Sequence, residues 1–348
     1  MTSPVFDARA EEILRNVIRH YILTGEPVGS RAIAKATSEK LSPASVRNVM
    51  ADLEELGYLA QPHTSAGRIP TDKGYRQFVE MVVPGRGLPR GDQALIDESL
   101  GGAAGGMSEA MENIPRLLSR LTSQVGWFVA PPIQTTVLKH IEFVRLHERR
   151  VLVVFVDRAG AVTHKILETD RDHPQSELDR AGRYLVEQFA GRTLPEIRAG
   201  LVALMAEEKA RFDTLLKNAV ELGAGFLNSK VPEKRLILEG TSNLMKHPEF
   251  ADVGAMRSLF ETFEEKHRLV ALLDRYVDQP GVLVVIGSEN RDPALDHVTL
   301  VVSKYSLDDR TGGSLGVLGP TRMEYERVVA LVSYISMQFS NLLHRHDD

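Results

Sequence analysis

Five residues near the start of the chain combine small side chains with one guanidinium and one amide, at spacings that a helix would place on one face. They are Ser42, Ala44, Ser45, Arg47 and Asn48. Arginine and asparagine can each make paired hydrogen bonds to a base edge in the major groove of DNA. Small neighbours allow a helix to come close to that edge. The pattern therefore predicts that the first turns of such a helix recognise DNA bases.

The segment around these residues carries the start and stop signals of a short helix. Ser42 is a good N-cap, Pro43 suits the first helical position, and Gly57 stands where a left-handed residue commonly ends a helix. The apolar residues repeat at helical spacing and predict one buried stripe, made of Val46, Val49, Met50, Leu53 and Leu56. The five candidate contacts then lie on the opposite face.

Two helices are predicted before this segment, at residues 7–24 and 31–36, and two short strands after it, at residues 58–61 and 68–71. The hairpin adds four candidate DNA contacts, namely His63, Thr64, Ser65 and Arg68. Three helices followed by a hairpin are typical of a winged helix-turn-helix domain. In that domain the third helix enters the major groove, and the hairpin, or wing, lies along the backbone or in a minor groove.

Charge in this region is segregated, although the whole chain carries a net charge of −5. Between residues 27 and 51 four bases stand against the single acid Glu39, and the hairpin region adds Arg68, Lys73 and Arg76. The acids collect elsewhere, at Glu11, Glu12, Asp52, Glu54 and Glu55. A small positive face on a neutral domain favours a site-specific DNA binder, because phosphate contacts supply the non-specific part of the affinity.

Each candidate also has an interpretation in which it does not touch DNA. Asn48 could bond to Asp52, and Arg68 could be an ordinary solvated charge. Arg47 has no acid one turn away, because residue 43 is proline and residue 51 is alanine. The whole pattern could serve a protein–protein module instead, and that alternative predicts no salt-dependent affinity for DNA.

Composition describes a soluble, multidomain protein. The chain has 348 residues, of which 43% are apolar and 26% charged, so two or three domains are expected. No apolar run approaches the roughly 20 residues that a membrane span requires. The first residues lack the pattern of a signal peptide, and the absence of cysteine excludes disulfides and thiolate chemistry. A cytoplasmic protein without a membrane partner is expected.

The order of predicted elements indicates an α+β multidomain fold. Residues 1–83 form the DNA-binding domain, and residues 84–106 are rich in glycine and proline and predict a linker region. Residues 107–170 and 280–348 carry helices and strands of one discontinuous domain, which is interrupted by the mostly helical residues 171–279.

No catalytic or metal site is expected. The chain has eleven histidines, but four of them near predicted strand ends, His140, His147, His164 and His173, lack carboxylates at ligand spacing. No Ser/His/Asp arrangement, phosphate-binding loop or dinucleotide fingerprint stands out. The sequence therefore predicts neither an enzyme nor a cofactor.

Two stretches, GEPVGSRAIAK (residues 25–35) and LSPASVRNVMADLEELGYLAQPHTSAGRIPTDKGYR (residues 41–76), resemble the DNA-binding region of the bacterial heat-inducible transcription repressor HrcA family. LGVLGPTRMEYERV (residues 315–328) extends the resemblance to the C-terminal part. The resemblance implies a winged-helix domain, a GAF-like domain and a dimerising domain inserted in the latter. It also implies a dimer that represses chaperone operons by binding an inverted repeat called CIRCE. The resemblance further implies that a GroEL-type chaperonin helps to maintain the active repressor.

Several alternatives stay open. The helical residues 176–227 could form a ligand-binding lid, a chaperonin-binding surface or a dimer interface, with an apolar stripe of Leu201, Leu204, Met205, Phe212, Leu215 and Leu216. The chain could be a repressor that senses a small molecule through its GAF-like domain, an enzyme with an appended DNA-binding domain, or an interaction scaffold. Heat could act through unfolding of the repressor, through loss of chaperonin help, or both.

Overall fold

The structure is a computed structural model. It describes residues 7–38, 41–64, 66–82, 87–101, 106–130, 137–147, 149–158, 160, 162–207, 222–223, 236–250, 253–265, 269–270, 273, 281–306 and 312–345. These residues contain helices and strands in three sheets, as expected for a mixed α+β chain.

The N-terminal unit contains helices α1 (Ala8–Thr24), α2 (Ser30–Ala36), α3 (Pro43–Glu55) and α4 (Asp72–Val82). Strands β1 (Leu59–Ala60) and β2 (Ile69–Pro70) form an antiparallel hairpin between α3 and α4. The predicted cap at Ser42 is confirmed, and Asp7 caps α1 in the same way. The carboxylate of Asp7 accepts from the Ala10 N–H at 2.7 Å, and the hydroxyl of Ser42 accepts from the Ser45 N–H at 3.1 Å.

One prediction about α3 is wrong at its C-terminal end. Val46, Met50 and Leu53 are buried as expected, but Leu56 is 49% exposed. The helix ends at Glu55, one residue too early for Leu56 to continue the buried stripe, and Gly57 follows with φ at +77°.

The second unit is built on a five-stranded antiparallel sheet with the order β7-β3-β10-β9-β8. Its strands are β3 (Val125–Val129), β7 (Leu236–Glu239), β8 (Val282–Ile286), β9 (Val298–Ser306) and β10 (Gly312–Pro320). Helices α5 (Arg90–Gly101), α6 (Gly106–Thr122) and α10 (Tyr325–Arg345) share a core with one face of the sheet, and α9 (Val253–Glu264) packs on the other face. Both faces are therefore buried.

Helix α5 corrects the expected linker at residues 84–106. Ile96 and Leu100 of this helix are buried in the same core as α6 and α10. The glycine and proline residues on either side of α5 suggested a linker, but the amphipathic helix between them belongs to the packed unit. Residues 83–86 and 102–105 lie outside the described residues.

The third unit is a three-stranded antiparallel sheet of β4 (Leu138–Arg145), β5 (Arg150–Asp157) and β6 (Val162–Glu168), with β5 in the centre. Helices α7 (Gln175–Phe189) and α8 (Leu194–Glu207) cover one face of it and share its core.

This sheet differs from the predicted domain boundaries. The sequence assigned residues 137–170 to the same domain as residues 280–348, but among the described strands β4 to β6 pair only with one another. Conversely, β7 falls inside the predicted insertion of residues 171–279 and pairs with β3 of the five-stranded sheet. A hairpin signal identifies neighbouring strands, but it carries no information on which of two sheets they join.

Candidate nucleic-acid interface

The predicted recognition face of α3 is exposed. The side chains of Ser42, Ala44, Arg47 and Asn48 lie open to solvent, and Ser45 is half-buried. On the other side of the same turns Val46 is completely buried in the N-terminal core. The polar face of α3 thus points outward because its apolar stripe is fixed against α1 and α2.

Arg47 and Asn48 have no side-chain hydrogen bond or ion pair with any residue that the structure describes. In particular, the alternative bond from Asn48 to Asp52 does not form. Arg47 and Asn48 are therefore adjacent, exposed residues of α3 that can each make paired hydrogen bonds to a base.

The two serines of the site are partly occupied by the helix itself. Ser42 caps α3 through the Ser45 N–H, and the two hydroxyls lie 2.9 Å apart. Each hydroxyl still has capacity for a further hydrogen bond. These residues can therefore contribute polar contacts at the N-terminus of α3 while keeping the helix start in place.

Hydrogen bonds hold the hairpin in place at its base and at its tip. Val28, before α2, exchanges two backbone hydrogen bonds of 2.9 Å with Arg68 and so adds a third strand segment to the hairpin. The amide of Gln61 donates to the carbonyl oxygens of Thr64 and Ala66, both at 3.0 Å. His63 and Thr64 are exposed at this tip, and Ser65 lies outside the described residues.

Arg68 has a role that the sequence did not indicate. Its guanidinium lies 2.7 Å from the carboxylate of Glu54, and the side chain is mostly buried. The ion pair joins the wing to the last turn of α3, so a contact between Arg68 and a DNA phosphate would compete with Glu54. The two residues are far apart along the chain, outside the i,i+4 spacing that sequence patterns reveal.

Replacing Glu54 by alanine should loosen the wing from α3 and lower the free energy of unfolding by about 1 kcal/mol, because the half-buried guanidinium of Arg68 loses its partner. Thermal unfolding of the full chain measures this effect. Glu55→Ala is the matched control, since Glu55 is an exposed neighbour with no partner among the described residues. Equal melting temperatures for the two variants would show that the ion pair does not stabilise the protein.

Comparison with known proteins decides the family. The family model described as "HrcA protein C terminal domain" matches residues 108–329. The "Heat-inducible transcription repressor HrcA" of Geobacter sulfurreducens is 41% identical over 335 residues, which cover 96% of this chain and 97% of that protein. The chain belongs to the HrcA family.

Other HrcA relatives agree with this assignment. Proteins with the same name from Syntrophobacter fumaroxidans and Xylella fastidiosa are 37% and 35% identical, and the matches cover 96% and 98% of this chain and 97% of each relative. A solved structure titled "Crystal structure of a hypothetical protein at 2.2 A resolution" aligns with a TM-score of 0.68 at 22% identity. It covers 98% of this chain and 100% of its own, and it shows a shared fold alone.

Two further bases near the hairpin of this HrcA chain are already engaged within the protein. The ammonium of Lys73 donates to the Leu56 carbonyl oxygen at 2.8 Å and lies 4.3 Å from the centre of the Tyr58 ring. Arg76 pairs with Glu289 of the five-stranded unit. Exposed bases remain at Arg31 and Lys35 on α2.

The described part of this HrcA chain has few features that favour binding of a metal ion, a membrane or a small ligand. No group of three or more His, Asp or Glu residues there could hold a metal ion, and no helix there could cross a membrane. A cleft of about 710 Å³ lies between α1, α4 and the start of α10. Its arginines are already paired, Arg19 with Glu326 and Arg327 with Asp92, so its charges do not favour a particular small ligand.

Proposed function

We propose that this chain is a DNA-binding transcriptional repressor of heat-shock operons. The N-terminal unit acts as a winged-helix domain and binds one half of the inverted repeat CIRCE, and a dimer binds both halves. The five-stranded unit is the GAF-like domain, and the three-stranded unit is the inserted dimerising domain. The observation that carries the proposal is the exposed face of α3, where Arg47 and Asn48 have no partner among the described residues.

The distribution of charge along α3 supports docking by its first turns. Arg47 lies near the N-terminus of the helix, where the helix dipole favours the negatively charged backbone of DNA. Asp52 and Glu55 are exposed near the other end. Because they would repel phosphates, the C-terminal half of α3 tilts away from the DNA. His63 and Thr64 of the wing then reach the adjacent backbone or minor groove.

Two arguments support a dimer, namely the symmetry of the operator and an aliphatic surface on the three-stranded sheet. An inverted repeat has two-fold symmetry, so a chain with one recognition helix must pair with a second copy to read both halves. The outer face of the three-stranded sheet, opposite α7 and α8, carries six aliphatic side chains. They are Val144, Leu152, Val154, Val156, Val162 and Ile166, none of which packs in the core of this unit.

The register of this outer face suits pairing with itself. Val154 of the central strand lies between Glu142 of β4 and His164 of β6. A two-fold axis along β5 would place Glu142 over the partner's His164. The same axis would place aliphatic residues over one another at Leu152 and Val156 of the central strand. Aliphatic side chains would therefore meet aliphatic side chains, and a carboxylate would meet an imidazole, when two copies pack face to face.

This surface is a second candidate interface beside the helical stripe. Leu201 of that stripe is buried in the core of its own unit and is not available to a second copy. The side chains of Leu204, Met205, Phe212, Leu215 and Leu216 lie outside the described residues.

The family resemblance implies that the repressor depends on a chaperonin. Operator binding tests this dependence as well as the contact with DNA. The logarithm of the binding constant should fall linearly with the logarithm of salt concentration, because lysines and arginines displace counterions from phosphates. At a heat-shock temperature the fraction of active repressor should decline, and a GroEL-type chaperonin should restore it. Titration with fluorescent operator DNA, with and without chaperonin, measures both effects. A repressor that stays fully active on heating without chaperonin would contradict chaperonin maintenance, and binding without salt dependence would contradict the DNA contact.

A further inference from the structure

The first two turns of α4 bind the N-terminal unit to the five-stranded unit, beside contacts of α1 in which Arg19 pairs with Glu326 and Arg322 donates to the Ile22 carbonyl oxygen. The carboxylate of Asp72 accepts from the Ser288 N–H at 3.0 Å and from the Ser288 hydroxyl at 2.9 Å. Ser288 belongs to the turn 287–290 that follows β8. Gly287 opens this turn with φ at +50°, and a Cβ there would stand 2.3 Å from the Asp72 carboxylate. Only glycine permits this approach.

One turn further along α4, Arg76 makes a two-pronged contact with the same turn. Its guanidinium pairs with both carboxylate oxygens of Glu289, and it also donates to the Val284 carbonyl oxygen at 2.5 Å. Glu289 in turn accepts from the Ile286 N–H at 2.8 Å. Burial disfavours the charged guanidinium, but the hydrogen bonds and charge of Glu289 outweigh burial and raise the pKa of Arg76. The contact is thus bidentate and fixed in direction.

Aromatic side chains extend the contact beside these polar groups. The rings of Tyr75 and Phe78 lie 5.7 Å and 6.5 Å from the ring of Tyr325 at the start of α10. All three side chains are buried. We refer to Asp72, Arg76, Ser288 and Glu289 as the junction. The three buried rings form an apolar contact beside it.

Helix α4 transmits the position of the junction to α3. The hydroxyl of Thr71, just before α4, donates to the Gly57 carbonyl oxygen at 2.7 Å. A Cβ on Gly74 would lie 2.2 Å from the Tyr58 carbonyl oxygen, so α4 and the start of β1 are in direct backbone contact. With Lys73 on the Leu56 carbonyl, these contacts join α4 to the C-terminal end of α3. Rotation of α4 would therefore rotate α3.

We infer that the junction sets the direction in which α3 is presented, and thereby selects the spacing of the two half-sites that the dimer accepts. The inference rests on the proposed function as a dimeric operator binder. Asp72, Arg76, Ser288 and Glu289 are positioning residues that act through α4 and do not read bases. The partner that they select is duplex DNA with one spacing and rotational phase of its half-sites.

The geometry of DNA explains why such a junction is needed. Successive base pairs rotate by about 35°, so inserting two base pairs turns one half-site by about 70° relative to the other. A rigidly held pair of recognition helices cannot follow that rotation. A loosely held pair can follow it, but each helix then has a lower effective concentration at its half-site.

The test compares three DNA duplexes in fluorescence titrations of the full chain: the inverted repeat, the same repeat with two base pairs inserted at its centre, and an isolated half-site. The variants Glu289→Ala and Arg76→Met open the junction from opposite sides. Glu261→Ala removes an exposed carboxylate of α9 that pairs with Arg257 and serves as the matched control. Thermal melts show whether each variant is folded. If one variant fails to fold, the titration of the other variant decides the test.

In the wild type and the control, the insertion should lower affinity at least about tenfold. In both junction variants the affinity for the natural repeat should fall by about tenfold, and the two spacings should be bound within about threefold of each other. Half-site affinity should not change. Folded variants with wild-type discrimination between the spacings would overturn the inference. Loss of half-site affinity in Arg76→Met alone would also overturn it, since Arg76 would then be a DNA contact. A wild type that binds the repeat no better than the half-site removes the proposed dimeric function itself, before any variant is compared.

Discussion

Replacing Arg47 by alanine is expected to weaken binding of the chain to the inverted repeat by about 1–3 kcal/mol per half-site while leaving random DNA nearly unaffected. Arg47 is exposed in the first turns of α3 and has no partner among the described residues. The substitution therefore removes a contact with DNA without removing a contact within the protein. Fluorescence titration at one fixed salt concentration measures both affinities.

Arg47→Lys separates two kinds of contact at this position. Lysine keeps the charge but lacks the planar fork that binds a base edge through two hydrogen bonds. If Arg47 reads a base, the lysine variant should behave like the alanine variant on the repeat. An equal loss on repeat and random DNA would reduce Arg47 to a phosphate contact. No loss with either variant would remove Arg47 from the interface.

A second large effect is expected at the outer face of the three-stranded sheet. Val154→Asp places a charge at the centre of this face, where a second copy would bury it without a partner. The dimer should dissociate, and affinity for the inverted repeat should fall by about 10²–10⁴-fold, because the two recognition helices no longer bind as one unit. Sedimentation and operator titration measure the two effects.

Ser176→Asp is the matched control for this substitution. Ser176 is exposed in the first turn of α7, on the side of the unit away from the outer face, and the new charge there suits the helix dipole. The control should remain dimeric and bind the repeat normally. A Val154→Asp variant that stays dimeric would show that two copies pair through another surface. Half-site binding should survive in both variants, because neither residue belongs to the N-terminal unit.

The sequence predicted the parts of the site that depend on local signals. Ser42 and Gly57 were recognisable as helix ends because capping preferences act over three or four residues. Arg47 and Asn48 were recognisable as surface groups because helical periodicity places them opposite Val46. The family resemblance is confirmed by relatives of 41%, 37% and 35% identity. These signals all lie within a few turns of the chain or in the family pattern.

Contacts between distant segments could not be predicted from single residues. Arg76 is one of several bases near the hairpin, and nothing local distinguishes its partner, Glu289, from other surface acids. The strand β3 escaped notice because its five residues form a short run buried on both faces, without alternation or turn signals. Because β3 was not predicted, the strands β4 to β6 were assigned to the domain of residues 280–348, whose sheet β3 joins.

The central claim is that two copies of this chain read the inverted repeat through two α3 helices. Titration of the repeat, and of the same duplex with one half scrambled, gives the affinity and the stoichiometry in a single measurement. We expect two chains per intact repeat and an affinity at least about 100-fold lower when one half is scrambled. Equal affinity for the intact repeat, the scrambled duplex and random DNA would contradict it.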